Sequence, residues 1–476
     1  MTVSLRDLLA LCQQKSVQMV DLKVVDLIGR WHHVTLPISQ LNEELLDLGV
    51  GVDTSSYPGY RSVERGDMRA VPDLTTTCMD PFWERPTLSL ICSLVNPDGS
   101  VYERCPRGVA RRAQEFLVTR GIKGQAVFSP ELEFHIFDAL RFRLGDHQCS
   151  YEIDCSEAWW NAGSREPSNL GYKVRRQEGY QVAPPADVLY DLRSEMVAEM
   201  LAVGVPVRYH HHEVGSAGQC EVEVLFEPLL KMADMTMWMK YIIRNVARRH
   251  GKIATFMPKP LFAEAGSGMH VHQFLREGNR SLFYDPKGYA CLSRLGLHYI
   301  GGLLTHAPAL LAMTSPSTNS YRRLVPGYEA PVTLFFSVAN RTAALRIPGY
   351  ALTETEQRIE FRPPDATCDI YLCLAAMLMA GLDGIERKID PTAAGFGPYD
   401  IDVFELSAEE RARLPALPAN LKQALRALEQ DHDFLLRGEV FSEDLISAWI
   451  DYKRTHEVAP MAARPHPLEF ELYHDL

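Results

Sequence analysis

Acidic and imidazole side chains fall at every second position in several strand-like stretches, and this alternation constrains the fold more than any other feature of the chain. It occurs in Glu131-Leu132-Glu133, Glu221-Val222-Glu223 and His270-Val271-His272, and Glu360-Phe361-Arg362 pairs a carboxylate with a guanidinium in the same way. Alternate residues of a strand share one face. Each doublet therefore projects its polar groups to one side, while Leu132, Phe134 and Ile136 mark the core side of the first strand. Glu213 follows the histidine run His210 to His212. Carboxylates converging on one cavity repel each other and raise one another's pKa unless cations neutralise them. Hard divalent ions do this with carboxylates and an occasional imidazole, and they suit phosphate chemistry. Alternation is equally the pattern of a solvated edge-strand face. Spacing by itself leaves both readings standing.

At 476 residues the chain is too long for one small core, so two or more domains are expected. Leu5, Leu8, Leu9 and Cys12 repeat with helical spacing. Residues 17–38 alternate β-branched and polar side chains about Gly29, which predicts a hairpin. Residues 48–68 are rich in Gly, Ser and Pro and read as an exposed loop. A further strand pair is expected over 86–107, turning at Asn96 to Gly99, before a helix from Gly108 to Arg120. The boundary falls there, with a small β-rich domain over 1–106 and a large mixed domain over 107–476. Helices are expected in the latter at 186–203, 229–250, 288–305, 370–389, 417–428 and 442–457, between short strands.

Composition excludes several classes. The net charge of −12 argues against non-specific nucleic-acid binding. No apolar run reaches transmembrane length, and Asp7 interrupts the opening stretch where a signal peptide stays uncharged. A cytoplasmic protein with no membrane partner is the expectation. The 10 cysteines are scattered without a C-x-x-C pair, and read as buried thiols rather than a disulfide framework or zinc site. The stretch Ala265 to His270 lacks the spacing and lysine of a P-loop, and its glycines suit close backbone approach to a small ligand. Neither a dinucleotide fingerprint nor a nucleophile elbow is present. Arginines near 319–331, 339–348 and 357–362 offer forked donors for phosphate or carboxylate, or else surface salt bridges.

These motifs together resemble one family. Residues 318–348 are similar, nearly residue for residue, to the glutamate and phosphate segment of type I glutamine synthetases. So are 129–137, 210–224, 266–272, 358–365 with 371–385, and the tail 464–476, all in the family's order. The resemblance implies an α+β fold with a small N-terminal β-grasp-like domain and a large catalytic domain whose curved antiparallel sheet is flanked by helices. It implies an ATP-dependent ligase that makes glutamine from glutamate and ammonium through a γ-glutamyl phosphate, using two or more Mg2+ or Mn2+ ions. Glu133, Glu213 and Glu221 then match the ligands of the metal near glutamate, and Glu131, His270 and Glu360 those of the metal on the ATP phosphates. Arg341, Arg346 and Arg362 match the arginines around the transferred phosphoryl group and substrate carboxylate, with Gly266 and Arg323 as further glutamate contacts. Asp53 resembles the base that deprotonates ammonium, beside Ser56, Tyr180 and Glu213. Glu329 resembles the glutamate that closes over the site, and Phe226 and Arg358 match nucleotide contacts. The family further implies a dodecamer of two hexameric rings, with Asp53 donated across a subunit interface and the rings tied together near 470–476.

The chain departs from the family's pattern at identifiable places. Ala265 stands where an Asn usually contacts the glutamate main chain, a loss costing about 1 kcal/mol for one hydrogen bond. Phe274 replaces a Ser and Thr355 a Lys near the nucleotide, and the D-G-S-S loop reads Asp53-Thr54-Ser55-Ser56. Phe404 replaces the tyrosine that some members adenylylate, leaving Tyr399 as the neighbouring hydroxyl, and Ser62 replaces a feedback-control arginine. Two alternatives follow: a γ-glutamyl ligase of the same fold acting on an organic amine or polyamine, and a catalytically weak regulatory homologue.

Overall fold

The computed structural model describes residues 4–60, 65–165, 169–328, 330–401, 406–407, 409 and 414–476. Glu329, Ser62 and Phe404 lie outside the described residues.

After a capped helix α1 (Leu5–Gln14), the N-terminal region builds a sheet from β1 (Met19–Val25), β2 (Trp31–Pro37), β3 (Val50–Asp53), β4 (Asp67–Pro72), β5 (Cys78–Met79) and β6 (Thr87–Val95), with α2 (Glu43–Leu48) leading into β3. The spatial order is β2-β1-β6-β4-β3, with β5 beside β6. The hairpin about Gly29 is present, and Gly29 takes the left-handed conformation at φ 81° that this turn needs. Two expectations need correction. The stretch expected to be a loop contributes β3 as an edge strand, because Val50 and Val52 alternate with small and polar neighbours. The pair expected after Pro86 forms only its first strand. Val101 makes a single bridge to Val95, and the chain then turns Tyr102 and Cys105 into the core before α3 (Pro106–Thr119) begins.

The larger region centres on a curled sheet ordered β10-β11-β7-β14-β18-β17-β16. Its strands are β7 (Gln125–Phe137), β10 (Val207–His212), β11 (Gln219–Val224), β14 (Met269–Glu277), β16 (Thr333–Val338), β17 (Ala343–Ile347) and β18 (Ile359–Phe361), with β12 (Glu227–Pro228) and β13 (Ile253–Thr255) on β7 and β15 (Arg280–Ser281) on β14. A separate hairpin joins β8 (Ala139–Leu144) to β9 (Cys149–Asp154). The sheet is mixed rather than antiparallel throughout, since β16 and β17 run parallel. Helices α4 (Tyr190–Ala202), α5 (Leu229–Arg249), α6 (Arg294–Thr314), α7 (Ser320–Arg323) and α8 (Ile370–Arg387) follow in chain order, then Leu421–Gln430 and Glu443–Lys453. Helix α6 starts later than expected because Ala290 and Cys291 adopt positive φ, and Ser293 then caps it by accepting from the Gly296 N–H at 3.1 Å. Among the described residues, no helix is long and apolar enough to cross a membrane.

The core sits between this sheet and the nearly wholly buried α8. Helices α6 and α8 approach so closely that a Cβ on Gly302 would lie 2.0 Å from the Ala380 carbonyl oxygen. The two regions are clamped by buried polar groups. Arg107 on α3 binds Asp234 of α5 through two bonds of 2.9 and 2.8 Å, and also reaches Asp73 at 2.8 Å and Ser93 at 3.1 Å. Lys23 of β1 faces the rings of Trp31, Trp238 and Tyr241 and bonds Asp80 at 3.1 Å.

Candidate functional site

Strand register assembles the polar doublets. Leu132 and Phe134 of β7 are fully buried in the core, which turns Glu131 and Glu133 to the opposite face. Across β10, β11 and β7, His211 lies opposite Glu221 and Glu221 opposite Glu133. One pleat along, Glu223 pairs with Glu131, and Glu131 with His270 of β14. His272 faces Glu360 on β18, and Glu360 faces Arg346 on β17. Directly opposed side chains sit about 5 Å apart at Cβ, so three rows of charged groups are forced onto one surface.

That surface walls a cavity of about 290 Å³. Its lining includes Glu131, Glu133, Glu213, Glu221, His270 and Glu360, together with Arg323, Arg341, Arg346, Arg362, Tyr180 and Gly266. Two ligand clusters stand out within it. Donor atoms of Glu131, His270 and Glu360 lie within 4.8 Å of one another, and so do those of His211, Glu213 and Glu221. Glu133 sits between them, its Oε2 accepting from the Gly268 N–H at 2.8 Å and its Oε1 3.7 Å from His270. His211 is the residue that sequence reasoning missed. Its signal was the cross-strand position opposite Glu221, which a linear reading of three successive histidines conceals.

The electrostatics divide the carboxylates into two kinds. Burial, the Glu133 charge and the Glu221 charge push the Glu213 carboxyl well above the usual range, and burial with Glu131 and Glu133 does the same to Glu221. The buried Glu213 Oε2 accepts no hydrogen bond. Glu131 and Glu360 are buried too, but neighbouring imidazoles and guanidiniums outweigh that effect. His272 and His270 hold Glu131 well below its ordinary value, and Arg362, His272 and Arg346 bring Glu360 down to about 2. Arg346 and Arg362 both donate directly to the Glu360 carboxylate.

The remaining sequence-predicted residues are placed as follows. Arg323 is buried, donating to the carbonyls of Pro363 at 2.8 Å and Arg362 at 3.1 Å and facing His270 at 3.3 Å. Gly266 admits no side chain, since its Cβ would lie 2.6 Å from the Pro258 oxygen. Tyr180 is half-exposed, its ring edge-on to His211 at 5.3 Å and beneath Arg341 at 5.7 Å. Phe226 and Arg358 do not line the cavity itself. They stand beside it, with Arg358 lying over Phe226 at 5.7 Å and over the cavity residue Tyr350 at 5.3 Å. Phe274 is buried edge-on to Phe226 at 5.0 Å, so the departure from Ser builds an apolar floor there. Asp53 and Ser56 are not brought to this cavity. They flank a turn in the N-terminal region, where the Ser55 side chain and N–H lower the exposed Asp53 carboxyl.

The family model described as the glutamine synthetase catalytic domain matches residues 103–473, and that of the glutamine synthetase beta-Grasp domain matches 16–97. The chain belongs to the glutamine synthetase family. It is 48% identical over 475 residues to a glutamine synthetase of Nostoc sp., covering 99% of each chain, and 47% identical over 472 residues to that of Frankia alni, again covering 99% of each. Among solved structures it is similar to the cryo-EM structure of Plasmodium falciparum glutamine synthetase, with TM-score 0.89 and 26% identity over 99% of this chain and 98% of that one. A chain from a GmaS/ADP complex is similar at TM-score 0.81 and 26% identity over 100% of both. In the family setting, the β-grasp fold of the N-terminal region and the curled mixed sheet of the catalytic region are the shared architecture.

Proposed function

We propose that the chain is an ATP-dependent glutamate–ammonia ligase that forms glutamine through a γ-glutamyl phosphate, with the cavity described above as its active site. The observation that carries this reading is the convergence of Glu131, Glu133, Glu213, Glu221, His270 and Glu360 with Arg341, Arg346 and Arg362 on one cavity. Full-length identities of 47–48% to proteins named glutamine synthetase favour glutamine as product, and ammonium over an organic amine as acceptor.

The donor set suits divalent cations. All the groups are oxygen or imidazole donors, two clusters have ligand-sized spacing, and Glu213 keeps a buried oxygen without a hydrogen bond. In this reading Glu131, His270 and Glu360 hold one ion, and Glu133, Glu213 and Glu221 the other, with His211 near enough to join. Bound Mg2+ or Mn2+ would supply charge neutralisation at the phosphate oxygens.

The chain's own residues do the rest. Arg341, Arg346 and Arg362 bind the transferred phosphoryl group and the substrate carboxylate through forked donors. Gly266 lets the backbone approach the amino acid, and Arg323 holds the adjoining carbonyls and His270 in place. Phe226 and Arg358 hold the nucleotide by stacking and charge. Tyr180 and Glu213 form a small anionic niche for ammonium. Asp53, with Ser56, takes the ammonium proton, and Glu329 closes the site to water. Because Asp53 and Ser56 lie away from the cavity of their own chain, they are assigned to a neighbouring subunit's site in a dodecamer of two hexameric rings. The domain boundary is assigned at 106/107 and the compartment to the cytoplasm.

The test is an amine panel. Enzyme, Mg2+, ATP and glutamate should release phosphate and yield glutamine with ammonium. Product with methylamine, ethanolamine or polyamines and none with ammonium would overturn the assignment.

A further inference from the structure

We propose that Gln219 is a positioning residue that ties the loop Ala265–Gly268 to the carboxylates Glu133 and Glu213, so that binding of the amino-acid substrate and of divalent cations depend on each other. The proposal rests on the assignment of Gly266 to the amino-acid pocket made above.

Gln219 opens β11 and shares one strand face with Glu221 and Glu223, so the alternation that delivers two carboxylates also delivers this amide. It is fully buried. Its orientation is fixed from one side. The Gly215 N–H is a donor and lies 2.7 Å from the side-chain oxygen, so Oε1 must face Gly215 and Nε2 must face the other way. Three acceptors wait for Nε2: the Gly266 carbonyl at 3.0 Å, Ser267 Oγ at 3.3 Å and Glu133 Oε2 at 3.4 Å. A primary amide has two N–H groups. They are spread across the amino-acid loop and a carboxylate of the ligand set. The main chain of Gln219 adds another link, its carbonyl accepting from the Glu213 N–H at 2.8 Å.

Two further contacts show how tightly the junction is drawn. A Cβ on Gly215 would lie 2.5 Å from Gln219 Oε1, so only glycine lets that loop close onto the amide. The Gly268 N–H, at the far end of the amino-acid loop, donates to the same Glu133 oxygen at 2.8 Å. Any shift of Glu133 toward a cation therefore pulls on Gln219 and on Gly268 together, and through them on Gly266. A second strut between the same loops runs from Ser216 Oγ to Glu264 at 2.7 Å, but it touches neither Glu133 nor Gly266. Among the described residues, Gln219 is the side chain that hydrogen-bonds both.

The test is calorimetric and needs no turnover. Glutamate binding is titrated at limiting and at saturating Mn2+, and ADP binding is titrated in parallel. Wild type should bind glutamate more tightly as Mn2+ rises. Gln219→Met keeps the volume and removes the amide. It should weaken glutamate roughly tenfold at saturating Mn2+, as losses of partners behind metal ligands do, lose most of the Mn2+ dependence, and hold ADP within about twofold. Equal losses for glutamate and ADP, or a Mn2+ dependence that survives in the variant, would refute the coupling. Should Gln219→Met not fold, Ser267→Ala removes one of the three acceptors and should weaken glutamate without moving ADP. An unchanged glutamate affinity there counts against the proposal. Ser216→Ala cuts only the second strut, and if it matches Gln219→Met then loop bracing in general, not Gln219, is responsible. Wild type that binds no glutamate at all sinks the ligase assignment and this proposal together. Glutamate that binds wild type and Gln219→Met alike sinks this proposal alone.

Discussion

Replacing Glu221 by Gln should stabilise the protein in chelator while removing most of its response to divalent cations. The reason lies in the cluster geometry. Donor atoms of Glu213 and Glu221 lie within 4.8 Å of each other. At an effective dielectric of 20, two full charges at that separation repel by about 3.5 kcal/mol. Proton uptake on the raised carboxyls relieves part of this, so the net gain from removing one charge is about 1–2 kcal/mol. For a chain of this length that corresponds to a melting temperature higher by about 1–3 °C. Wild type should instead gain about 2.7 kcal/mol when Mn2+ is raised to a hundred times its dissociation constant. The assay is thermal unfolding at fixed protein concentration, in EDTA and across a Mn2+ series, for both proteins. A variant that melts below wild type in EDTA, or that keeps the full manganese-dependent rise, would refute the argument that these carboxylates are held together for cations.

His306 is buried between Asp383 at 2.9 Å and Asp431 at 2.8 Å and stacks on Phe434. Burial disfavours its charge, but both aspartates outweigh that and raise its pKa. Its contribution is complete below about pH 6.5 and is lost as pH rises through the higher folded value, so the melting-temperature gap between wild type and His306→Gln should shrink from pH 6 to 9. Arg358→Ala removes a cation lying over Phe226 and Tyr350. Nucleotide KM should rise about fivefold, the equivalent of about 1 kcal/mol, with glutamate KM unchanged in steady-state assays. Gly302→Ala would drive a methyl to 2.0 Å from the Ala380 oxygen, and differential scanning calorimetry should register a loss of about 3 kcal/mol.

The polar doublets were legible because strand periodicity is local, whereas their assignment as metal ligands came from the resemblance. Two residues apart on a strand means the same face, and Leu132 between the glutamates and Phe134 just after them fixed which face was buried. What alternation does not encode is direction or neighbour. Parallel and antiparallel strands share the same period, so the parallel pairing of β16 with β17 left no trace in the pattern. His211 was hidden for a related reason, since its partner Glu221 is set by the register of β10 against β11. The late start of α6 turns on positive φ at Ala290 and Cys291, residues whose side chains give no warning of it. Glu329 and Phe404 lie outside the described residues.

The three cross-strand rows also limit how this site can change over time. Inserting one amino acid in β7 ahead of Glu131, with a one-residue slip of register, would rotate Glu131 and Glu133 together into the hydrocarbon interior and bring Leu132 and Phe134 out in their place. Short of a bulge that absorbs the extra residue, as between Val207 and Tyr209 of β10, no half-step between those two arrangements exists. Length variation among descendants of this chain should therefore collect in the connections between strands, and the strands that carry the carboxylates should drift by substitution alone.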